Sequence, residues 1–371
     1  MTSKVRLSKC SISYAEKIAV LKVLEKEYLG MGEEVKIFEE KIKQFLKTEL
    51  DVVCVNNGTS ALHISLSALG LKDGDEVLVP SLTYVASFQA ICATGAKPIP
   101  VEINPNTLFI DPLDAEKKIS RNTKAIMPVH YASSSKGMDE VYKLAYKYKL
   151  RVVEDAAQAF GSKRMGELIG TSGDIICFSF DGIKNITCGE GGGILSSDKE
   201  LIQKIQDIRL LGVEKDTQKR YLGQRSWDFD VTTQGFRCHM SNIFAAIGIA
   251  QIDRLEDFKI KRQNIAKKYI SALKDISEIR FLDFNFDEIL PHIFVIKALN
   301  RDDLRNFLIE NNIECGIHYK PNHLLTKFKS DANLPVTENV YNQILTLPCH
   351  FDLTEHEQSL VINKIRNFYG K

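Results

Sequence analysis

Several things are scarce in this 371-residue chain, and each scarcity excludes something. The eight cysteines are scattered and form no C-x-x-C pair, which argues against a structural zinc site and against a disulfide framework. Several sit in apolar runs such as DVVCV and DIICF and read as buried, reduced thiols. Neither sign of charge is in excess: Lys plus Arg number 49 and Asp plus Glu 48, a net charge of +1. That balance gives no electrostatic ground for a nucleic acid or an acidic membrane as partner. No apolar run reaches the roughly 18 residues needed to span a bilayer, and MTSKVRLSKC holds no apolar signal core. The expectation is a soluble, cytoplasmic protein with no metal site. The nucleoside-triphosphate loop G-x-x-x-x-G-K-[ST] is missing as well.

What is present is ordinary globular composition, 44% hydrophobic and 26% charged, in a chain too long for one small core. Two domains of unequal size are expected. From about residue 51, short apolar runs alternate with helical ones: DVVCV, EVLVP, KPIPVE, KAIMPV, RVVED, DIICFSF and GGILSS are separated by stretches such as SALHISLSALG and MDEVYKLAYKYKL. Strands alternating with helices imply an α/β fold with a mainly parallel sheet covered on both faces. Beyond residue 200 come amphipathic helices, ELIQKIQDIRLLG, SNIFAAIGIAQIDRLEDF and KRQNIAKKYISALKDI, then a smaller αβ unit ending in EHEQSLVINKIRNF. The boundary is placed near 250, giving a large domain over 1–250 and a small one over 251–371.

In such sheets ligands collect beyond the carboxyl ends of the strands. Four strand ends carry unusual polar residues. NNGTS follows DVVCV, where Gly58 permits a turn and Thr59 and Ser60 bring hydroxyls to the positive end of a helix, a place for a phosphate. The same pair is also a common helix cap. Tyr84 ends EVLVPSLTY and could stack on a planar ring or be core. Asp155 completes RVVED with no charged neighbour of opposite sign, followed by Gln158; it is either an acid awaiting a cationic partner or a helix cap. Lys184 lies in CFSFDGIKNITCGEGGG, after Ser179 and before bare glycine backbone, and is either a nucleophile or a surface-loop lysine. Together the four offer a phosphate cradle, an aromatic face, an acid for a ring nitrogen and an amine for an aldehyde. Pyridoxal 5'-phosphate has the complement of each.

The motifs NGTSAL, DEVLVPSLTYVAS, EDAAQAFG, GEGG, HMSNIFAAIG, GIHYKPNHL and LPCHFDLTEHEQ, in this order along nearly the whole chain, resemble the DegT/DnrJ/StrS sugar aminotransferases of the fold-type I pyridoxal-phosphate class. The resemblance implies that Lys184 anchors the cofactor and carries the proton, that Asp155 keeps the pyridine nitrogen protonated, and that Gln158 lies beside the phenolic oxygen. It places Tyr84 against the ring and Thr59, Ser60 and Ser179 on the phosphate. It implies a homodimer with sites shared between subunits, L-glutamate as amino donor and a nucleotide-linked keto-sugar as acceptor, C4 favoured over C3. His318, Tyr319 and His323 in GIHYKPNHL are expected to face the sugar or nucleotide, with structural histidines as the alternative.

Three departures from the family pattern stand out. GFRCHM replaces a common G-Y-N-Y-R-M, so Arg237 stands where an asparagine crosses the interface, and either holds the phosphate or pairs elsewhere. PVHYASSS replaces PVHLYGQ, keeping His130. Asp181 precedes Lys184 by three residues where Tyr or His is usual; it is expected to point to solvent, the alternative being that it raises the amine's pKa. Rival readings are a pyridoxal-phosphate-dependent sugar dehydratase, against which the retained Lys184 argues, and a non-catalytic regulatory member of the fold.

Overall fold

The computed structural model describes residues 4–371. The short apolar runs form the strands β1 (Asp51–Val55), β2 (Glu76–Pro80), β3 (Lys97–Val101), β4 (Thr123–Ile126) and β5 (Arg151–Asp155). After a two-residue hairpin, β6 (Lys163–Arg164) and β7 (Glu167–Leu168), come β8 (Ile175–Ser179) and β9 (Gly192–Ser196). Seven of these make one sheet in the order β1-β9-β8-β5-β4-β2-β3, in which β9 alone runs against its neighbours. The strands are apolar almost throughout because both faces are buried. Val53, Val55, Ile175 and Cys177 face a core shared with the helices Gly58–Ala68, Val85–Ala93 and Lys199–Ile208. Their alternates Val52, Cys54, Ile176 and Phe178 face Phe38, Ile42 and Leu46 of the helix Glu33–Leu46. The prolines of KPIPV are tolerated because β3 is an edge strand. The cysteines are all unpaired, five of them buried, as the sequence suggested.

The smaller unit is a three-stranded antiparallel sheet, β10 (Ile279–Phe281), β11 (Phe294–Ala298) and β12 (Ile344–Leu347). It is backed by the helices Arg301–Glu310 and Glu355–Phe368, the latter opened by a Thr354–Glu357 capping box. The sequence run SNIFAAIGIAQIDRLEDF is not one helix. It breaks at Asp253 and Arg254, whose side chains are drawn to Lys41 (2.6 Å) and Glu16 (2.7 Å). The helix that follows, Leu255–Leu273, joins the units: Leu255 and Phe258 pack in the large core, Ile265 to Leu273 in the small one. Val5 also lies in the small core and bridges to Ile313, so the chain's beginning packs with its end.

β1 delivers the NNGTS turn to the site and is itself an edge, with Cys54 turning its N–H and C=O away from β9. Glu39 Oε1 accepts from the Cys54 N–H (2.7 Å) and Arg209 Nη1 donates to its C=O (2.7 Å). The two side chains pair at 2.8 Å, with the Tyr221 hydroxyl on Glu39 and on Arg209 Nη2. A charge left unpaired in such a place costs about 3–5 kcal/mol. Glu39→Ala should therefore lower the urea unfolding free energy by about that amount; a loss within about 0.5 kcal/mol, typical of surface changes, would show that the clamp holds nothing.

Candidate active site

Asp155 is the last residue of β5 and is 5% exposed. It caps no helix. Its Oδ2 accepts from the Ser87 hydroxyl at 2.7 Å and its Oδ1 from the Ala157 N–H at 3.2 Å. Ser87 is itself buried and in contact with Thr83 Oγ1 at 3.0 Å. Among the described residues no cationic side chain pairs with this carboxylate, an expensive arrangement for an apoprotein unless a ligand brings the cation.

Lys184 follows β8 in a tight turn. Its N–H donates to the Asp181 C=O (3.1 Å), and the Ile183 N–H donates to Asp181 Oδ2 (3.2 Å). The next residue fixes the turn: buried Asn185 donates through Nδ2 to the carbonyls of Gln158 (3.1 Å), Phe160 (2.9 Å) and Leu290 (3.2 Å). Below lies an aromatic floor in which Phe160 meets Phe178 and Phe180 edge to face, centroids 5.2 and 5.4 Å apart. Burial pushes the Lys184 amine below its ordinary pKa, while the carboxylates of Asp155 and Asp181 pull it back up. The amine is thus neither a surface-loop group nor fully quenched.

Lys184 and Asp155 open into one cavity of about 400 Å³. At one end stands the helix Gly58–Ala68. Asn57 caps it by accepting from the Ser60 N–H (2.8 Å), so the hydroxyls of Thr59 and Ser60 are not committed to capping. A Cβ on Gly58 would lie 2.7 Å from Ser179 Cβ, so glycine is what lets the helix end and the end of β8 close into a single cradle. Thr59 and Ser179 line the cavity; Ser60, which was expected on the phosphate, is not among the lining residues. Tyr84 exposes its ring to the same space, 5.6 Å from the Tyr319 ring. Buried Gln158 accepts from the Ala132 N–H (2.8 Å) and donates to the Tyr319 hydroxyl (3.1 Å). A helix end with free hydroxyls, an unpaired buried acid and a desolvated amine around one space fit the phosphate, ring nitrogen and aldehyde of pyridoxal phosphate.

Two of the three GIHYKPNHL residues line the cavity, His318 and Tyr319. Burial, with the Lys184 charge adding to it, pushes His318 down to about 4, and its Nδ1 meets Thr346 Oγ1 at 2.8 Å. His323 differs from the expectation. It is buried with Nδ1 at 2.7 Å from Ser81 Oγ and Nε2 at 3.2 Å from Glu338, which leaves neither ring nitrogen for a sugar. Arg237 is exposed and lies outside this cavity, in a surface pocket with Arg220, Phe229 and His239. Asp181 does not simply point to solvent: it lines the cavity and raises the pKa of Lys184. Thr83, Glu190 and His292 line the cavity too and were not singled out from the sequence. Glu190 lay inside the quoted GEGGG; His292, just before β11, had no motif to mark it.

With this geometry in view, the comparisons with known proteins agree. Residues 11–366 match the DegT/DnrJ/EryC1/StrS aminotransferase family. The spore coat polysaccharide biosynthesis protein SpsC of Bacillus subtilis is 32% identical over 94% of this chain and 92% of its own. Among solved structures, DesV of S. venezuelae superposes with a TM-score of 0.91 at 31% identity, covering 100% of both chains. A sugar aminotransferase Spr1654 of Streptococcus pneumoniae, solved in a pyridoxal-phosphate form, does so with 0.91 at 27% identity over 99% of both. The chain belongs to the DegT/DnrJ/EryC1/StrS family and is a pyridoxal-phosphate-dependent aminotransferase of fold-type I.

Proposed function

We propose that the protein transfers the amino group of L-glutamate to a keto-sugar carried on a nucleoside diphosphate, the 4-keto position being favoured, in amino-sugar biosynthesis for a surface polysaccharide or glycan. The observation that carries the reading is that Lys184 and Asp155 share one cavity, closed at its end by the Gly58–Ser179 cradle. The name of SpsC, a polysaccharide biosynthesis protein, supports the product class.

When bound, pyridoxal phosphate supplies an electron sink for removing a proton from a carbon attached to nitrogen. This chain's residues do the rest. Thr59, Ser60 and Ser179 hold the phosphate, Asp155 receives the ring N–H, Gln158 stands by the phenolic oxygen and Tyr84 covers the ring. Lys184 Nζ would take the proton from the α-carbon of glutamate in one half-reaction and deliver a proton to the sugar carbon in the other, the cofactor supplying the carbon that holds the proton in between. Burial lowers its pKa, which favours the free amine needed for a base. His318 and Tyr319 face the sugar. The protein acts as a cytoplasmic homodimer in which Arg237 of each subunit reaches the phosphate in the other's site. Its exposure away from its own cavity, in a surface pocket with the exposed Phe229, supports that reading.

Lys184→Ala should abolish both the visible absorbance of the lysine-bound cofactor and the bleaching caused by L-glutamate; retained transamination would overturn the assignment. Asp181→Asn removes one of the charges that raise the lysine's pKa. The pH midpoint for capture of added pyridoxal phosphate by the apoprotein should fall, since a less basic amine is free at lower pH; an unchanged or higher midpoint counts against Asp181 facing the amine. Arg237→Ala should weaken cofactor retention about tenfold, the loss of one charge-assisted contact, in equilibrium dialysis of a protein that still sediments as a dimer. Unaltered retention would remove Arg237 from the phosphate site.

A further inference from the structure

His292 belongs to the small unit and is 5% exposed, with what exposure it has opening into the cavity it lines. Its backbone is clamped on both sides. The N–H donates to Ser133 Oγ (3.0 Å), whose own hydroxyl donates to the Gln158 carbonyl, and Arg262 Nη1 donates to the His292 carbonyl (3.1 Å). So the backbone at His292 is held in register with Gln158, yet among the described residues Nδ1 is buried without a partner. Of the other cavity and core histidines, His130 has one ring nitrogen engaged by Glu154 (2.7 Å), His318 one by Thr346 and His323 one by Ser81, although Nδ1 of His130 is left without a partner as well. A polar ring fixed in a cavity wall with no internal partner is costly unless a ligand completes it.

The kind of ligand follows from the surroundings. Burial first, then the Lys184 charge, hold His292 well below its ordinary pKa, so the imidazole is neutral and can donate or accept but offers no charge. Beside it are the neutral His318 and the Tyr319 hydroxyl, whose pKa burial pushes up. The carboxylates of Asp181 and Glu190 border the same cavity, an unfavourable setting for a second carboxylate. A wall of neutral donors and acceptors suits hydroxyl groups.

We propose that His292 is a substrate-binding residue whose ring hydrogen-bonds a hydroxyl of the acceptor sugar, so that it discriminates in the sugar half-reaction and not in the amino-donor half-reaction. This rests on the keto-sugar reading given above. The two half-reactions can be followed separately by cofactor absorbance: bleaching by L-glutamate, then return of colour when dTDP-4-keto-6-deoxyglucose or a UDP-linked 4-keto sugar is added. In His292→Leu the half-saturating sugar concentration should rise about three- to tenfold, the range for one lost neutral hydrogen bond. Bleaching by glutamate should stay within about twofold of wild type on the same argument. His292→Asn, which keeps a donor and an acceptor, should recover part of the loss and decides the matter if the leucine variant does not fold. Unchanged sugar saturation in the variants overturns the role of His292 while leaving the function intact. Parallel loss in both half-reactions overturns it too, by making the residue merely structural. If the bleached wild type regains no colour with either keto-sugar, the acceptor reading fails first and takes this inference with it.

Discussion

The structure turns on a buried carboxylate that the protein does not neutralise. Asp155 accepts from a serine hydroxyl and a backbone N–H, and among the described residues no cationic side chain pairs with it. A folded chain tolerates that cost where a ligand brings the positive charge, and the partner we propose is the protonated ring nitrogen of the cofactor. Glycine at position 58 lets the helix end close on Ser179, and Asn57 takes over the capping so that the threonine and serine hydroxyls stay available.

The second organising feature is how charge is handled near the amine. Lys184 sits between opposing influences, burial lowering its pKa and two carboxylates raising it. The same burial and the lysine's own charge keep His292 and His318 neutral. The result is a cavity with a charged half around Lys184, Asp155 and Asp181, and an uncharged polar half contributed by the small unit. Asn185, bonded to carbonyls of both units, ties the two halves to the lysine turn.

Much of this was legible before any coordinates. The alternation of apolar runs with helical ones gave the parallel sheet, because a strand buried on both faces must be apolar along its length. The polar residues at the strand ends then named Thr59, Tyr84, Asp155, Gln158, Ser179 and Lys184, since the carboxyl edge of such a sheet is where ligands bind. Legibility stopped where the small unit met the large one. His323 carried as good a motif as His318, but its ring is tied to Ser81 on the loop after β2 and to Glu338. His292 carried none and still reached the cavity.

The sequence by itself determined the fold class and the cofactor, and it marked strand-end residues that come together around one cavity, because those depend on local pattern and on the end of each strand. Only the tertiary structure decided which small-unit side chains line the cavity, that Asp181 turns inward, and that Arg237 lies outside its own cavity. Those outcomes depend on contacts between segments far apart in the chain, through backbone clamps such as Ser133 on His292, and no spacing within a motif encodes them.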